Sequence, residues 1–327
     1  MKSETNEKSS LSNLLYTLLI LIAVILALSF PGLFTSVGGF PLKKLIIPLL
    51  QIIMLGMGTT MALKDFEGVI KQPRAVLIGV VFHFIIMPAL GFSLANIFNF
   101  PPEIAAGVIL IGCSPSGLAS NVMCFIAKAN VPLSITVTSI STLLAPLMTP
   151  LLMKLLAGQF VSIDFWKMVV EIMQIIILPV ILGLILNRIF HKSAVILNKI
   201  MPLISMGGIV LIVAIITAAG RDSLLTVGWT LALCVLIHNL SGFIFGYWTA
   251  RLFRLDEQSS RTVAIEVGLQ NGGLASGIAL QMGKVATVGL APALFGPIMN
   301  MTGSLLATYW SQRPPKNQPV ELTPEVA

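Results

Sequence analysis

Charge is scarce in this sequence. Lys, Arg, Asp and Glu make up 10% of the 327 residues, against 56% hydrophobic, and mean hydropathy is +0.95. A soluble domain carries roughly 25% charged residues. A chain this poor in charge cannot clothe a water-facing surface, so lipid must be its solvent over most of its area. Cysteine is scarce too. Cys113, Cys124 and Cys234 all lie inside apolar stretches, odd in number and without paired spacing, which argues against a disulfide framework and a zinc site. The apolar spans hold no His/Glu zinc motif, no Asp pair and no Gly-x-Ser-x-Gly elbow, which argues against a membrane-embedded enzyme. The net charge of +7 sits in short loops. There it is a topology signal, with no nucleic-acid surface implied.

What is there is a series of long apolar runs. A membrane helix needs about 20 apolar residues. Such runs fall at approximately 12–30, 44–63, 75–98, 102–128, 131–156, 166–189, 196–219, 225–252, 259–283 and 286–311. They predict an all-α membrane protein of ten transmembrane helices spanning residues 12–311. Residues 1–11 form a polar tail, and the first run lacks a small-residue cleavage site, so it reads as a retained helix. The polar, Pro-rich residues 312–327 read as a disordered tail. With the N-terminus in the cytoplasm, 14 of the 20 basic residues fall in inside segments and 6 in outside ones. That bias places both termini inside.

The sequence also echoes itself. Gly117-Leu118-Ala119-Ser120 recurs as Gly273-Leu274-Ala275-Ser276, in the fourth span of each five-span half, and His83 and His238 fall in the two third spans. Five is odd, so the second half (about 166–311) would enter the membrane in the opposite sense to the first (about 12–156). Inverted repeats of this kind serve alternating access in transporters. A short echo of small residues also arises by chance.

Both fourth spans are interrupted. The first contains Gly112-Cys113-Ser114-Pro115-Ser116-Gly117; the other contains Glu266-Val267-Gly268-Leu269-Gln270-Asn271-Gly272-Gly273. Pro115 has no amide hydrogen and clashes with the preceding turn. Broken backbone at bilayer depth survives only inside protein or beside water. Its freed carbonyls suit a cation, and the half-helix N-termini suit an anion. The alternative is a kink or close helix packing. Glu266 alone among 13 acidic residues lies well inside a span. A carboxylate there costs about 2.5–3.5 kcal/mol, so it needs a cation, a base or a proton. Oxygen donors gather at the breaks: Ser120, Asn121, Ser134, Thr138, Glu266 and Gln270. Hard cations take oxygen ligands, and Ser134 and Thr138 share one helix face. Intramembrane Ser and Thr also bond their own helix backbone.

At these residues the sequence resembles the bile acid:sodium symporter family, and within it the bacterial apical sodium-dependent bile acid transporter type. The carrying stretches are Ala119-Ser120-Asn121-Val122-Met123, Asn130-Val131-Pro132-Leu133-Ser134 and Glu266-Val267-Gly268-Leu269-Gln270-Asn271. The resemblance implies panel and core domains, with the fourth and ninth helices broken and crossing. It implies two sodium sites. One would use Ser120, Asn121, Ser134, Thr138 and Glu266. The other would use Glu266, the backbone oxygens of Val267 and Leu269, and Gln270. Where many relatives carry Gln in the third helix this chain has His83, which would either replace a sodium ligand or remove it. Substrate is expected near Ser116, Gly117, Asn271, Asn300 and Thr302. His238-Asn239 reads either as interhelical glue or as ligand contact.

The function expected is sodium-coupled import of a small organic anion, pantoate-like, by a monomer in the bacterial inner membrane. A bile acid or steroid anion is the alternative substrate, and a channel or ligand sensor the alternative activity.

Overall fold

In the computed structural model of the protein, residues 18–61, 67–189, 191–313 and 315 are described. The expected N-terminal tail, the start of the first span and nearly all of the C-terminal tail lie outside them. Apart from one small hairpin the described chain is helical. α1 is Leu18–Ser29. The hairpin pairs β1 (Ser36–Val37) with β2 (Phe40–Pro41) and turns on Gly38 and Gly39, at φ 55° and 81°. That left-handed backbone favours residues without a Cβ. α2 is Ile46–Thr60, α3 Pro73–Ile97, α4 Pro102–Gly112, α5 Ala119–Ile126 and α6 Val131–Leu152. α7 is Phe165–Ile189, α8 His191–Ala219, α9 Arg221–Leu252, α10 Glu257–Gly268, α11 Gly272–Gln281 and α12 Leu290–Ser311.

Among the described residues six helices are long and apolar enough to cross a membrane: the spans built on α2, α3, α6, α7, α9 and α12. The surface explains why. On α9 the exposed face carries Leu233, Ile237, Leu240 and Ile244; on α7 it carries Leu178, Ile181, Leu182 and Ile185. These recur every three or four residues, as one face of a helix does. The interior meanwhile buries Glu266, Gln270, His83, His238, Asn239 and many Ser and Thr hydroxyls. Apolar outside and polar inside is the arrangement of a multi-pass membrane protein.

Local chemistry sets the helix ends. Pro73 and Pro102 open α3 and α4, where a missing N–H costs nothing. Asn130, Asp164, Asp256 and Asn271 cap α6, α7, α10 and α11, each accepting from the amide three residues on. Boundaries differ from the sequence reading by a few residues. Residues 191–195 are already helical, ahead of the expected start at 196, and α9 begins at Arg221, not 225. α12 begins at Leu290, not 286, because residues 285–289 form turns. α6 runs on into a π-helical turn, Met153–Ala157, and α7 contains one, Met173–Ile177, which hydropathy cannot signal.

The helices pack in two sets. α2 lies against α8 and the C-terminal half of α7, and α1 rests Ala23 and Ala27 on Ala214 and Ala218 of α8. α3 packs against α4, α6, α9 and α10, and α12 packs against α4 and α9. Between α2 and α7 the backbones touch. A Cβ on Gly58 would overlap the Val180 carbonyl, and one on Gly183 the Leu55 carbonyl. Small residues make such approaches possible in lipid. Near one helix end the buried Arg261 donates to Glu257 at 2.8 Å, to the Trp310 carbonyl at 3.2 Å and to the Arg313 carbonyl at 2.8 Å. It thereby caps the end of α12.

Two alanine substitutions should separate packing from propensity. Gly58→Ala should destabilise the protein by about 1–3 kcal/mol, because the backbones must move apart. Gly228→Ala, where a Cβ meets nothing within 4 Å, should be neutral or stabilising by up to about 1 kcal/mol. Thermal unfolding of the detergent-solubilised protein reads both; equal effects would refute the contact.

Candidate functional site

The site begins where two helices stop. At the end of α4, Cys113 N still reaches Ile109 O (2.9 Å) and Ser114 N reaches Ile111 O (3.3 Å). Pro115 then offers no donor, and the helix resumes at Ala119. α10 ends at Gly268, Leu269 is extended (φ −99°, ψ 122°), and α11 starts at Gly272. The two interruptions lie side by side. Ser116 and Gln270 form an antiparallel bridge, and Asn271 N donates to Pro115 O at 2.8 Å. A Cβ on Gly117 would sit 2.8 Å from Gln270 O, so glycine is what lets the segments meet.

Beside this junction five predicted residues converge. Glu266 is 0% exposed. Its Oε1 accepts from Ser134 Oγ at 2.5 Å, and its Oε2 from Thr138 Oγ1 at 2.9 Å. Asn121 Oδ1 lies 2.8 Å from Ser134 Oγ and 3.5 Å from Thr138 Oγ1. Ser120 Oγ lies 3.1 Å from Thr138 Oγ1. Ser134 and Thr138 sit one turn apart on α6, Ser120 and Asn121 open α5, and Glu266 ends α10. Those are five close oxygen–oxygen contacts, sharing the three hydroxyl hydrogens of Ser120, Ser134 and Thr138. Three hydrogens cannot fill five contacts, so lone pairs face one another. Among the described residues Glu266 has no Lys, Arg or His ion-pair partner. A hard cation supplies the missing positive charge to such a set.

The second predicted set is arranged differently. Gln270 Nε2 donates to Val267 O at 2.8 Å, and Ser116 Oγ donates to Leu269 O at 3.2 Å. His83 is fully buried, with Nδ1 3.0 Å from Glu266 O and Nε2 2.9 Å from Ser114 O. Each ring nitrogen thus faces a backbone carbonyl, and the ring ties one interruption to the other. Gln270 Oε1 is buried without a partner.

A cavity of about 210 Å³ opens on the junction. One wall is apolar, with Leu50, Ile53, Met54 and Ile209. The other presents Gly117, Asn271, Gly272, Gly273 and Asn300, and among the described residues no charged one lines it. The N-termini of α5 and α11 both reach this cavity through Leu118, Ala119, Gly272 and Gly273. Helix N-termini attract anions. Of the predicted substrate residues, Gly117, Asn271 and Asn300 line it. Ser116 points its hydroxyl to Leu269 O. Thr302 hydrogen-bonds Asn239 and lies outside the lining. His238 Nε2 meets Met87 O at 2.9 Å, and Asn239 Nδ2 donates to Gly268 O at 2.8 Å. That pair joins helices, as one of its two sequence readings has it. Thr149, which donates to Cys113 O at 2.8 Å, had no signal in the sequence among the many hydroxyls of α6.

Comparison with known proteins adds an independent line. The profile of the Sodium Bile acid symporter family matches residues 47–227. The chain is 41% identical over 300 residues, 91% of each protein, to one named "Uncharacterized sodium-dependent transporter YocS" in Bacillus subtilis. It is 36% identical over 267 residues, 82% of the chain and 67% of the relative, to "Probable sodium/metabolite cotransporter BASS1, chloroplastic" of Arabidopsis thaliana.

If the oxygen cluster holds sodium, sodium should raise the melting temperature above its value in equimolar potassium. Glu266→Ala should erase that difference. Ser134→Ala, which removes one hydroxyl from a charged centre, should weaken sodium protection roughly tenfold. A sodium-specific shift that survives in Glu266→Ala would place the ion elsewhere.

Proposed function

The chain belongs to the sodium bile acid symporter family, and from that premise we propose that it is a sodium-coupled symporter importing a small organic anion by alternating access. The observation that carries this reading is the buried Glu266, ringed by oxygens and, among the described residues, lacking a cationic partner, beside two interrupted helices. In this reading the chain is ten transmembrane helices in two inverted five-helix repeats. α4 with α5 is the broken fourth helix of the first repeat, and α10 with α11 its counterpart in the second. α1, α2, α7 and α8 make the panel; the remaining helices make the core. Sodium joins Ser120, Asn121, Ser134, Thr138 and Glu266 across three separate chain segments and so orders the junction. The anion then docks in the cavity between panel and core, against the two helix N-termini and Asn271. Ions drive transport only if they bind one state more tightly than the other. A site assembled from α5, α6 and α10 has that property when these segments shift relative to one another.

A short, pantoate-like carboxylate suits this cavity better than a steroid. Sites for drug-sized ligands run to roughly 300–1,000 Å³, and this one measures about 210 Å³. Its apolar wall matches a branched alkyl chain, and its uncharged polar wall matches a single carboxylate. The protein acts as a monomer in the bacterial inner membrane with both termini in the cytoplasm, a placement supported by the basic-residue bias.

The test is uptake of radiolabelled pantoate into proteoliposomes. An inward sodium gradient should drive accumulation above equilibrium, and a potassium gradient should not. Excess unlabelled pantoate should compete, and taurocholate should compete poorly. Flux that merely equilibrates, regardless of sodium, would indicate a channel; strong competition by taurocholate would favour the steroid substrate.

A further inference from the structure

An interrupted helix offers a cation its freed carbonyls, so each such oxygen can be traced to its partner. In the second interruption the tally is complete. Glu266 O faces His83 Nδ1, Val267 O accepts from Gln270 Nε2, and Gly268 O accepts from Asn239 Nδ2. Leu269 O accepts from Ser116 Oγ, and Gln270 O accepts from Gly272 N at 3.1 Å. In the first interruption Cys113 O accepts from Thr149 Oγ1, Ser114 O faces His83 Nε2, and Pro115 O accepts from Asn271 N. Every one of these carbonyls is engaged by a group of the chain itself. The partners come from α3, α6 and α9, from the opposing break or, for Gln270 Nε2 and Gly272 N, from the same break.

We infer that the chain binds a single sodium ion, at the Glu266 side-chain cluster, and that His83, Ser116 and the Gln270 amide fill with protein the space where a second ion would sit. A carbonyl has two lone pairs. Yet a donor hydrogen already at the oxygen is positively polarised and repels a cation approaching the same atom. His83 decides the matter sterically: its ring bridges the two interruptions, and each nitrogen is met by a carbonyl within 3.0 Å. Gln270 Oε1 remains without a partner, but one amide oxygen alone is far short of the several oxygens that a hard cation gathers. The contrast with the hydroxyl cluster is sharp. There, oxygens face oxygens; here each carbonyl already touches a side chain or amide of the chain, the neutral His83 ring giving its one N–H to one carbonyl and setting its other nitrogen against the second.

The inference rests on the sodium-coupled reading, and its consequence is electrical. One sodium with one monovalent anion moves no net charge, whereas two sodium ions would.

The experiment is equilibrium binding of ²²Na⁺ to the purified full-length protein in detergent, with Glu266→Ala as the blank. Current is recorded in parallel from proteoliposomes on a solid-supported membrane when pantoate is added in sodium. One ion per chain, a Hill coefficient of about 1 and uptake without net current are expected. Two ions per chain, or a sustained sodium-dependent inward current of positive charge, would overturn the single-ion inference while leaving sodium coupling intact. No bound sodium would overturn sodium coupling and this inference with it. As a second variant, His83→Gln removes the bridge and offers an amide oxygen in its place. A gain to two ions in that variant supports the bridging role. A wild-type count of two that His83→Gln leaves unchanged overturns it.

Discussion

A carboxylate held in oil governs this structure. Glu266 is fully buried, among the described residues no basic side chain pairs with it, and burying an unpaired charge is among the costliest things a protein can do. The fold answers with the Ser134 and Thr138 hydroxyls of α6, against which α5 sets Ser120 and Asn121. That answer requires α5 to begin, α6 to pass and α10 to end at one point. The interruptions follow from the same demand. α4 must stop for Ser120 and Asn121 to swing toward α6, and α10 must stop so that its last turn presents Glu266 there. Pro115, Gly117 and Gly268 are the residues that permit it.

Around that point the protein is built to keep two unwound segments from unravelling. The hydrogen bonds of His83, Asn239, Ser116, Thr149 and Asn271 are all side chain to backbone, or backbone to backbone, across the junction. Partly satisfied networks in a low dielectric are unstable, whereas fully satisfied ones are rigid. The junction is therefore a frame tied at many points, and the hydroxyl cluster within it is short of positive charge. In the proposed reading a cation completing the cluster would hold α5 and α10 together, the segments next to the two helix N-termini that reach the cavity. This gives a physical path by which sodium and anion occupancy are linked.

Much of this was legible in the sequence. Low charge and long apolar runs gave the membrane class, and Pro115 with its flanking glycines gave the first interruption. The Gly-rich stretch after Glu266 gave the second. Glu266 stood out because acidic residues are so rare at depth, and Ser134 and Thr138 because they are four apart. What could not be read was the direction in which each polar side chain points. His83 looked like a candidate ligand, and only three-dimensional packing shows its ring between the Ser114 and Glu266 carbonyls. Thr302 looked like a substrate contact, and packing turns its hydroxyl to Asn239. Helix starts were misjudged at α8, α9 and α12 because hydropathy is blind to polar residues that continue a helix and to turns built from apolar ones.

The proposed sodium site is the Ser120–Asn121–Ser134–Thr138–Glu266 cluster. The most direct measurement is an experimental map of the protein at a resolution that shows ions, prepared once in sodium and once in potassium. The account predicts a peak enclosed by those five side chains in sodium, with the hydroxyls drawn inward around it. A cluster closed on itself in both salts, or an ion seated instead among the Val267 and Leu269 carbonyls, would contradict it.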